Sequence, residues 1–399
     1  MKIGITSLNL EQMSASAYYN SQENGLGAAL ASLGHTVTVY HLISQQDAAN
    51  GCSSADKHSP EAFPETKSIQ TESPLEEHPA ENLTLKYIAC RHLGLHAFPS
   101  SSIWDAETDC FIPFSDHYAG FPMLYRYCRK HNILCLPYLG VISSNNPSSL
   151  KRLLSSLLSR NMRFYRKLPL LLTKTPRLAD QLLAQGARQV RTIPVCLDEQ
   201  KLCASYREVR KETLLLKYGF QPADRVILFI GRLVPEKQPL LMLKIFSELT
   251  RRGAYKLLML GQGPLKGEID EYVKEHDLSR CVRLISAMEN SSMWELYRAS
   301  MCYVNLNDHE IFGMSILEAL YYECPVIALH APGPDSILEA SPCGSLCSSP
   351  EELTRKIIAS DTVPADRTRA AHDYITDNYL WSCSAAKILN SISSLRKAD

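Results

Sequence analysis

The 399-residue chain has no net charge, its 42 Lys and Arg being matched by 42 Asp and Glu. No overall field then draws the molecule to nucleic acid or to an anionic surface, and any such attraction must be local. Nowhere does the chain hold about 18 uninterrupted apolar residues, so no membrane-spanning helix is expected. The opening MKIGITSLNL is too short and too polar for a signal peptide. A cytoplasmic, soluble protein is the expectation. CxxC pairs are absent too: the 13 cysteines are scattered and odd in number, which in a reducing compartment predicts small buried thiols and neither disulfides nor zinc.

What is present is alternation. KIGIT, TVTVYHL, YIAC, DCFIPFS, ILCLPYLGVI, LPLLLTKT and VRTIPV read as buried strands, with helical stretches such as SQENGLGAALASLG and GFPMLYRYCRKH between them. VILFIG, YKLLMLG, VRLIS, CYVNL and PVIALH repeat the pattern later in the chain. Strands alternating with helices argue parallel sheets covered on both faces, and the length suits two cores. The fold class is α/β, with two doubly wound domains over 1–196 and 197–378. The seam is expected near PVCLDEQ, and a last helix over 379–399 is expected to cross back onto the first domain.

Two stretches are biased. Residues 44–82 carry eight acidic residues against two basic ones and four prolines; with almost no apolar periodicity, they read as a disordered acidic insertion. Between His117 and Ala179 there is no acidic residue but eleven cations. Within it, residues 150–168 form an amphipathic helical pattern, which either packs its leucines on a sheet or rests on anionic headgroups. The second alternative would make the protein a peripheral membrane partner.

Three motifs gather in the second half. VILFIGRLVPEKQP ends a strand at Gly231 and then offers Arg232 and Lys237 before a helix begins near Pro239. Two cations at a strand's carboxyl end suit a diphosphate, although strand, turn and basic residue also recur in ordinary surface loops. LLMLGQGPL puts Gly261 and Gly263 at the next strand end, where they allow a ligand's approach or only a tight turn. HEIFGMSILEAL holds Glu310 in a loop and Glu318 in the helix that starts at Gly313 or Met314. Gly313 lets the backbone come close to a ligand, and Glu318 is able to accept two hydrogen bonds from a vicinal diol such as ribose.

Taken jointly, strand-GR-x4-K, strand-GxGP and E-x7-E with FG inside resemble the nucleotide-sugar domain of retaining glycosyltransferases of the GT-B fold, the family-4 type. MKIGITS and GLGAALASLGHTVTVY resemble that family's acceptor domain more loosely. The resemblance implies two Rossmann-like domains facing a cleft. It implies that Gly231, Arg232, Lys237 and the backbone at Phe312, Gly313, Met314 and Ser315 hold the donor diphosphate, that Glu318 holds the ribose, and that Glu310 faces the donor sugar. The nucleotide base would lie near Gly261, Gly263, Ile285 and Ala287. His117, after the strand in FSDHYAG, is the second catalytic candidate, and a plain structural histidine is the alternative. Asp116, Asn20 and Gln22 are acceptor-side candidates, the last two being equally able to cap a helix.

The implied activity is transfer of a sugar from a nucleoside diphosphate donor, UDP-linked, to a sugar, lipid-linked or protein hydroxyl in glycan synthesis. No DxD motif is present, so cations and the helix dipole are expected to stand in for a metal, and no cofactor is expected. Two departures stand out: LEQMSASAYYNSQENG lacks the family's glycine pair, and Cys324 stands where a glycine usually ends the E-x7-E helix. A silent partner or glycan-binding protein on the same fold, or a nucleotide-sugar epimerase or phosphorylase, stays open at this point.

Overall fold

A computed structural model describes residues 1–7, 21–45, 75–93, 96–114, 118–142 and 161–398. The chain divides into two compact units, Met1–Pro194 together with Trp381–Asp399, and Val195–Leu380. The seams lie at Pro194/Val195 and Leu380/Trp381.

The sheet of the first unit is built from β1 (Lys2–Ser7), β2 (Thr36–Ser44), β3 (Leu75–Ala80), β4 (Leu83–Leu93), β5 (His96–Phe98), β6 (Cys110–Phe114), β7 (Leu134–Cys135), β8 (Tyr138–Leu139), β9 (Leu171–Thr173) and β10 (Val190–Thr192). Their order is β10-β9-β8-β6-β1-β2-β4-β3, with β5 on β4 and β7 on β6. β1 is central and pairs in parallel with both β2 and β6, which is why its residues after Lys2 are all buried. The unit's core packs Trp104 edge-on against Tyr40 and Phe111 at 4.9 and 5.3 Å.

The last helix, Trp381–Ala398, belongs to this unit and lies against the Gln22–Ser32 helix. A side chain at Gly25 would come within 2.5 Å of the Trp381 indole, so glycine there lets the two helices close. Arg191 donates to Ser391 Oγ at 2.9 Å, and Arg396 pairs with Asp109 at 3.2 Å.

The acidic insertion needs correction at both ends. β2 runs on to Ser44, and Leu75–Ala80 forms a strand antiparallel to β4, with Glu76 on Lys86 at 2.9 Å. The sheet is therefore mixed at this edge. Residues 76–80 are exposed throughout; a strand at a sheet's rim, with no core face and with charges that discourage further pairing, shows no apolar alternation to read. Residues 46–74 lie outside the described residues. Of the basic stretch 150–168, residues 161–168 are described. There Tyr165 and Leu168 are buried, Tyr165 lying 4.8 Å from the Phe121 ring, and Arg163, Arg166 and Lys167 point outward. No helix among the described residues is long and apolar enough to cross a membrane.

The second unit has a six-stranded sheet of β11 (Arg225–Ile230), β12 (Tyr255–Leu260), β13 (Val282–Ile285), β14 (Cys302–Asn305), β15 (Val326–Leu329) and β16 (Gly344–Cys347), in the order β13-β12-β11-β14-β15-β16. Every pair is parallel. The chain steps outward from β11 to one edge, returns to β14 and steps to the other. At such a reversal the loops leaving the carboxyl ends of β11 and β14 part from each other and leave a crevice. That crevice is where the three motifs of the second half arrive.

Candidate functional site

β11 ends at Ile230, and its apolar run gives way to Gly231 and Arg232. Arg232 is exposed and has no ion pair among the described residues. Pro235–Lys237 makes one tight turn, and Gln238, left-handed at φ 54°, starts the Pro239–Thr250 helix. Gln238 Nε2 donates to the Leu306 carbonyl at 2.7 Å, tying the loop after β11 to the loop after β14.

The glycines at the end of β12 serve this same loop. A Cβ on Gly261 would stand 1.9 Å from the Gly231 carbonyl oxygen and one on Gly263 2.4 Å from that of Leu233. Backbone bonds between the two segments, Gly231 N to Leu260 O at 3.0 Å and Leu233 N to Gln262 O at 2.8 Å, are possible only with that closeness. Ile285 accepts from Gly261 N at 2.9 Å, and Ala287 is exposed just beyond β13.

After β14 the chain folds on two asparagines. Asn305 Oδ1 accepts from Asn307 N at 2.9 Å, and Asn307 Oδ1 accepts from His309 N at 3.1 Å; such side-chain turns hold a loop where no backbone ladder reaches. They aim Glu310 back toward β11. Its Oε2 accepts from Lys237 Nζ at 2.5 Å and from Asn307 Nδ2 at 3.1 Å. The side chains of Lys237 and Glu310 are 27 % and 17 % exposed, so the pair is largely shielded from water yet open on one side. The start of the Pro332–Leu338 helix after β15 closes over the backbone here, since Gly333 N donates to the Glu310 carbonyl at 2.9 Å and a Cβ on Gly333 would lie 2.3 Å from the Phe312 carbonyl oxygen.

Gly313 has φ 95° and precedes the Met314–Tyr321 helix. That conformation strains any residue with a Cβ. The first-turn N–H groups at Met314 and Ser315 have no carbonyl within the helix to bond, and they carry the positive end of its dipole. Glu318 is the fifth residue of this helix, a little over one turn in, and is buried. Tyr297 donates its hydroxyl to Glu318 Oε2 at 2.8 Å. Burial pushes the Glu318 carboxyl up to about 7, against the opposing pull of that hydrogen bond. A buried carboxyl raised in this way beside a crevice is a candidate binding residue.

The structure therefore brings Lys237, Glu310, Gly313, Ser315 and Glu318 onto adjoining loops and the Met314–Tyr321 helix of one unit. The helix end differs in one detail: the left-handed residue is Glu323 at φ 61°, and Cys324 N donates to the Ala319 carbonyl at 2.8 Å. Arg207 and Arg298 hold the Glu323 carboxylate at 2.6 and 3.4 Å, so Cys324 needs no special conformation. In the first unit, Ser21 Oγ accepts from Asn24 N at 3.3 Å and is the cap of the Gln22–Ser32 helix. Capping is thus not the role of Gln22, whose side-chain oxygen is buried with no partner among the described residues. Asn20, Asp116 and His117 lie outside the described residues. Sequence reasoning missed Gln238, Tyr297, Tyr303, Asn305, Asn307 and Gly333; two asparagines closing the apolar strand CYVNLN were the available signal.

Residues 211–369 match the family described as glycosyl transferases group 1. Among curated proteins, the chain is 22 % identical over 156 residues to an alpha-monoglucosyldiacylglycerol synthase of Acholeplasma laidlawii, 39 % of either length. The matched stretches span from 19 % to 46 % of the length of these curated relatives. Among solved structures, a sucrose-phosphate synthase from Thermosynechococcus elongatus aligns over 100 % of both chains with TM-score 0.69 at 15 % identity. The Anabaena protein HepE in complex with UDP aligns over 99 % of this chain and 100 % of its own, with TM-score 0.69 at 14 % identity. These likenesses establish the fold of the whole chain as GT-B.

Proposed function

We propose that the protein, whose residues 211–369 match the glycosyl transferases group 1 and whose fold resembles GT-B structures, moves a hexosyl group from a UDP-sugar to an acceptor hydroxyl, with retention at the anomeric carbon. The observation that carries this reading is the Lys237–Glu310 ion pair set beside the N-terminus of the Met314–Tyr321 helix at the chain reversal between β11 and β14. In the reaction the bond from the anomeric carbon to the diphosphate breaks, its electron pair leaving with the phosphate. The acceptor oxygen bonds to the same face, and its proton passes to the departing phosphate oxygen.

Charge builds on that leaving group, and preorganised positive charge is the largest aid a protein gives it. Arg232, Lys237 and the helix N-terminus supply it, so no metal is required. Glu310, held by Lys237 and Asn307, faces the sugar hydroxyls near the reacting carbon, and Glu318 takes the ribose hydroxyls. The presence of UDP in the HepE structure supports uridine as the base. We assign acceptor recognition to His117, Asp116, Asn20 and Gln22 on the family resemblance alone, with a sugar, lipid-linked or protein hydroxyl as the acceptor.

Calorimetry with UDP and GDP, followed by turnover of the matching sugar donors, tests this reading. Glu318→Ala weakens donor binding and Glu310→Ala abolishes transfer; normal turnover by both variants refutes it.

A further inference from the structure

Beneath the N-terminus of the Met314–Tyr321 helix lies a line of three side chains whose hydrogen bonds run in one direction only. Asn305 is 5 % exposed, and its Oδ1 accepts from the backbone N–H of Asn307 at 2.9 Å. An N–H can only donate, so the amide orientation is fixed and Nδ2 is the group facing Tyr303. Nδ2 donates to Tyr303 Oη at 3.4 Å.

Tyr303 is 1 % exposed, and its hydroxyl has one other partner among the described residues, Ser315 Oγ at 2.7 Å. Because an amide nitrogen cannot accept, the tyrosine proton has a single place to go, Ser315 Oγ; leaving it unbonded in the core would forfeit a buried hydrogen bond. Ser315 then holds its own proton with no protein acceptor among the described residues. Ser315 is half-buried, the second residue of the helix, beside N–H groups that also point outward.

We propose that Asn305 and Tyr303 are positioning residues that turn the Ser315 hydroxyl into an obligate donor toward the diphosphate of the sugar donor. The proposal rests on the nucleotide-sugar reading of this crevice and deepens it. Without the relay, Ser315 is free to spend its proton on Tyr303 and present a lone pair to the phosphate. With the relay in place, the serine proton and the helix-end N–H groups all face the ligand as donors. A hydrogen bond to a charged oxygen is about twice as strong as a neutral one, so its direction counts more here than in the core.

The test is a double-mutant cycle read by calorimetry with UDP, GDP and the parent nucleosides uridine and guanosine. Asn305→Asp, of the same shape, reverses the relay by drawing the tyrosine proton to a carboxylate, so that Tyr303 Oη takes the Ser315 proton. It is expected to weaken binding of the nucleoside diphosphate by about tenfold, the scale of one charge-assisted hydrogen bond, and to leave the nucleoside unaffected. Tyr303→Phe leaves no oxygen to take the serine proton, so alone it should change diphosphate affinity far less, and in its background, as in Ser315→Ala, the Asn305→Asp loss shrinks to the effect of its added charge. Equal Asn305→Asp losses with and without Ser315, equal losses for nucleoside and diphosphate, or no loss at all overturn the relay alone. Failure of the unmodified protein to bind either diphosphate overturns the nucleotide-sugar reading together with it.

Discussion

Replacing Glu318 by glutamine separates what this residue does to stability from what it does for a ligand. The carboxyl is ordinarily near 4.5 and is raised to about 7 by burial in the folded chain. Between those pH values the folded protein keeps a proton that the unfolded chain has released. The stabilisation from this group is therefore complete below about pH 4.5 and is lost as pH rises through 7. Above pH 8 the ionised side chain costs about 3 kcal/mol, each tenfold in proton affinity being worth about 1.4 kcal/mol.

Glutamine carries no such cost, and its carbonyl still accepts from Tyr297, which sits 2.8 Å from Glu318 Oε2. Thermal unfolding should thus show the second unit of Glu318→Gln melting about 6–12 °C above the parent at pH 8.5, at about 2–4 °C per kcal/mol for a unit of this size. At pH 5 the two should nearly coincide. Over the same range the variant should bind UDP more weakly if Glu318 takes the ribose as proposed, since one of its carboxylate oxygens has become a donor. A difference that is the same at both pH values, or a less stable variant at pH 8.5, would refute the account of Glu318 as a buried charge kept at the expense of stability.

Gly313→Ala should destabilise the second unit by about 1–2 kcal/mol, the cost of a left-handed alanine, measurable by urea unfolding. The new methyl also meets the Ile316 side chain at 2.8 Å, so UDP affinity should fall with it. The proposal that Arg232, Lys237 and the helix N-terminus supply the positive charge predicts that exhaustive treatment with EDTA leaves turnover unchanged; loss of activity restored by a divalent cation would contradict that.

The strands that flank the site were legible because buried parallel strands are continuous apolar runs, so VILFIG and CYVNL announced β11 and β14 and located the loops beyond them. Legibility failed where an element has no buried face of its own. Glu76, Glu77 and His78 lie on an exposed rim strand and resemble disorder, and GSLC at β16 is too short and polar to stand out. The titratable residues of the site were visible as types, whereas their pairing was not: Lys237 and Glu310 are 73 positions apart, and only the sheet order brings them together. The structural roles of Gly261 and Gly263 were hidden for the same reason, since what they make room for is the backbone of Gly231 and Leu233. Tyr303 and Asn305 looked like ordinary strand residues, because the direction of a hydrogen bond is written in neighbours that a linear pattern does not show.

The route of the chain also orders events during its synthesis. The second unit is one continuous segment, Val195–Leu380, whereas the first is completed by Trp381–Asp399. A ribosome delivers some 5–20 residues each second and domains fold as units, so residues 195–380 can close their core while the first sheet still waits. Until Trp381 emerges, the groove beside Gly25 that the indole fills stays open to water, and Ile388 and Ile392 have yet to be buried. The part of the protein made first is the part finished last, and for that interval its bare helix face is the surface a nascent chain must keep from its neighbours.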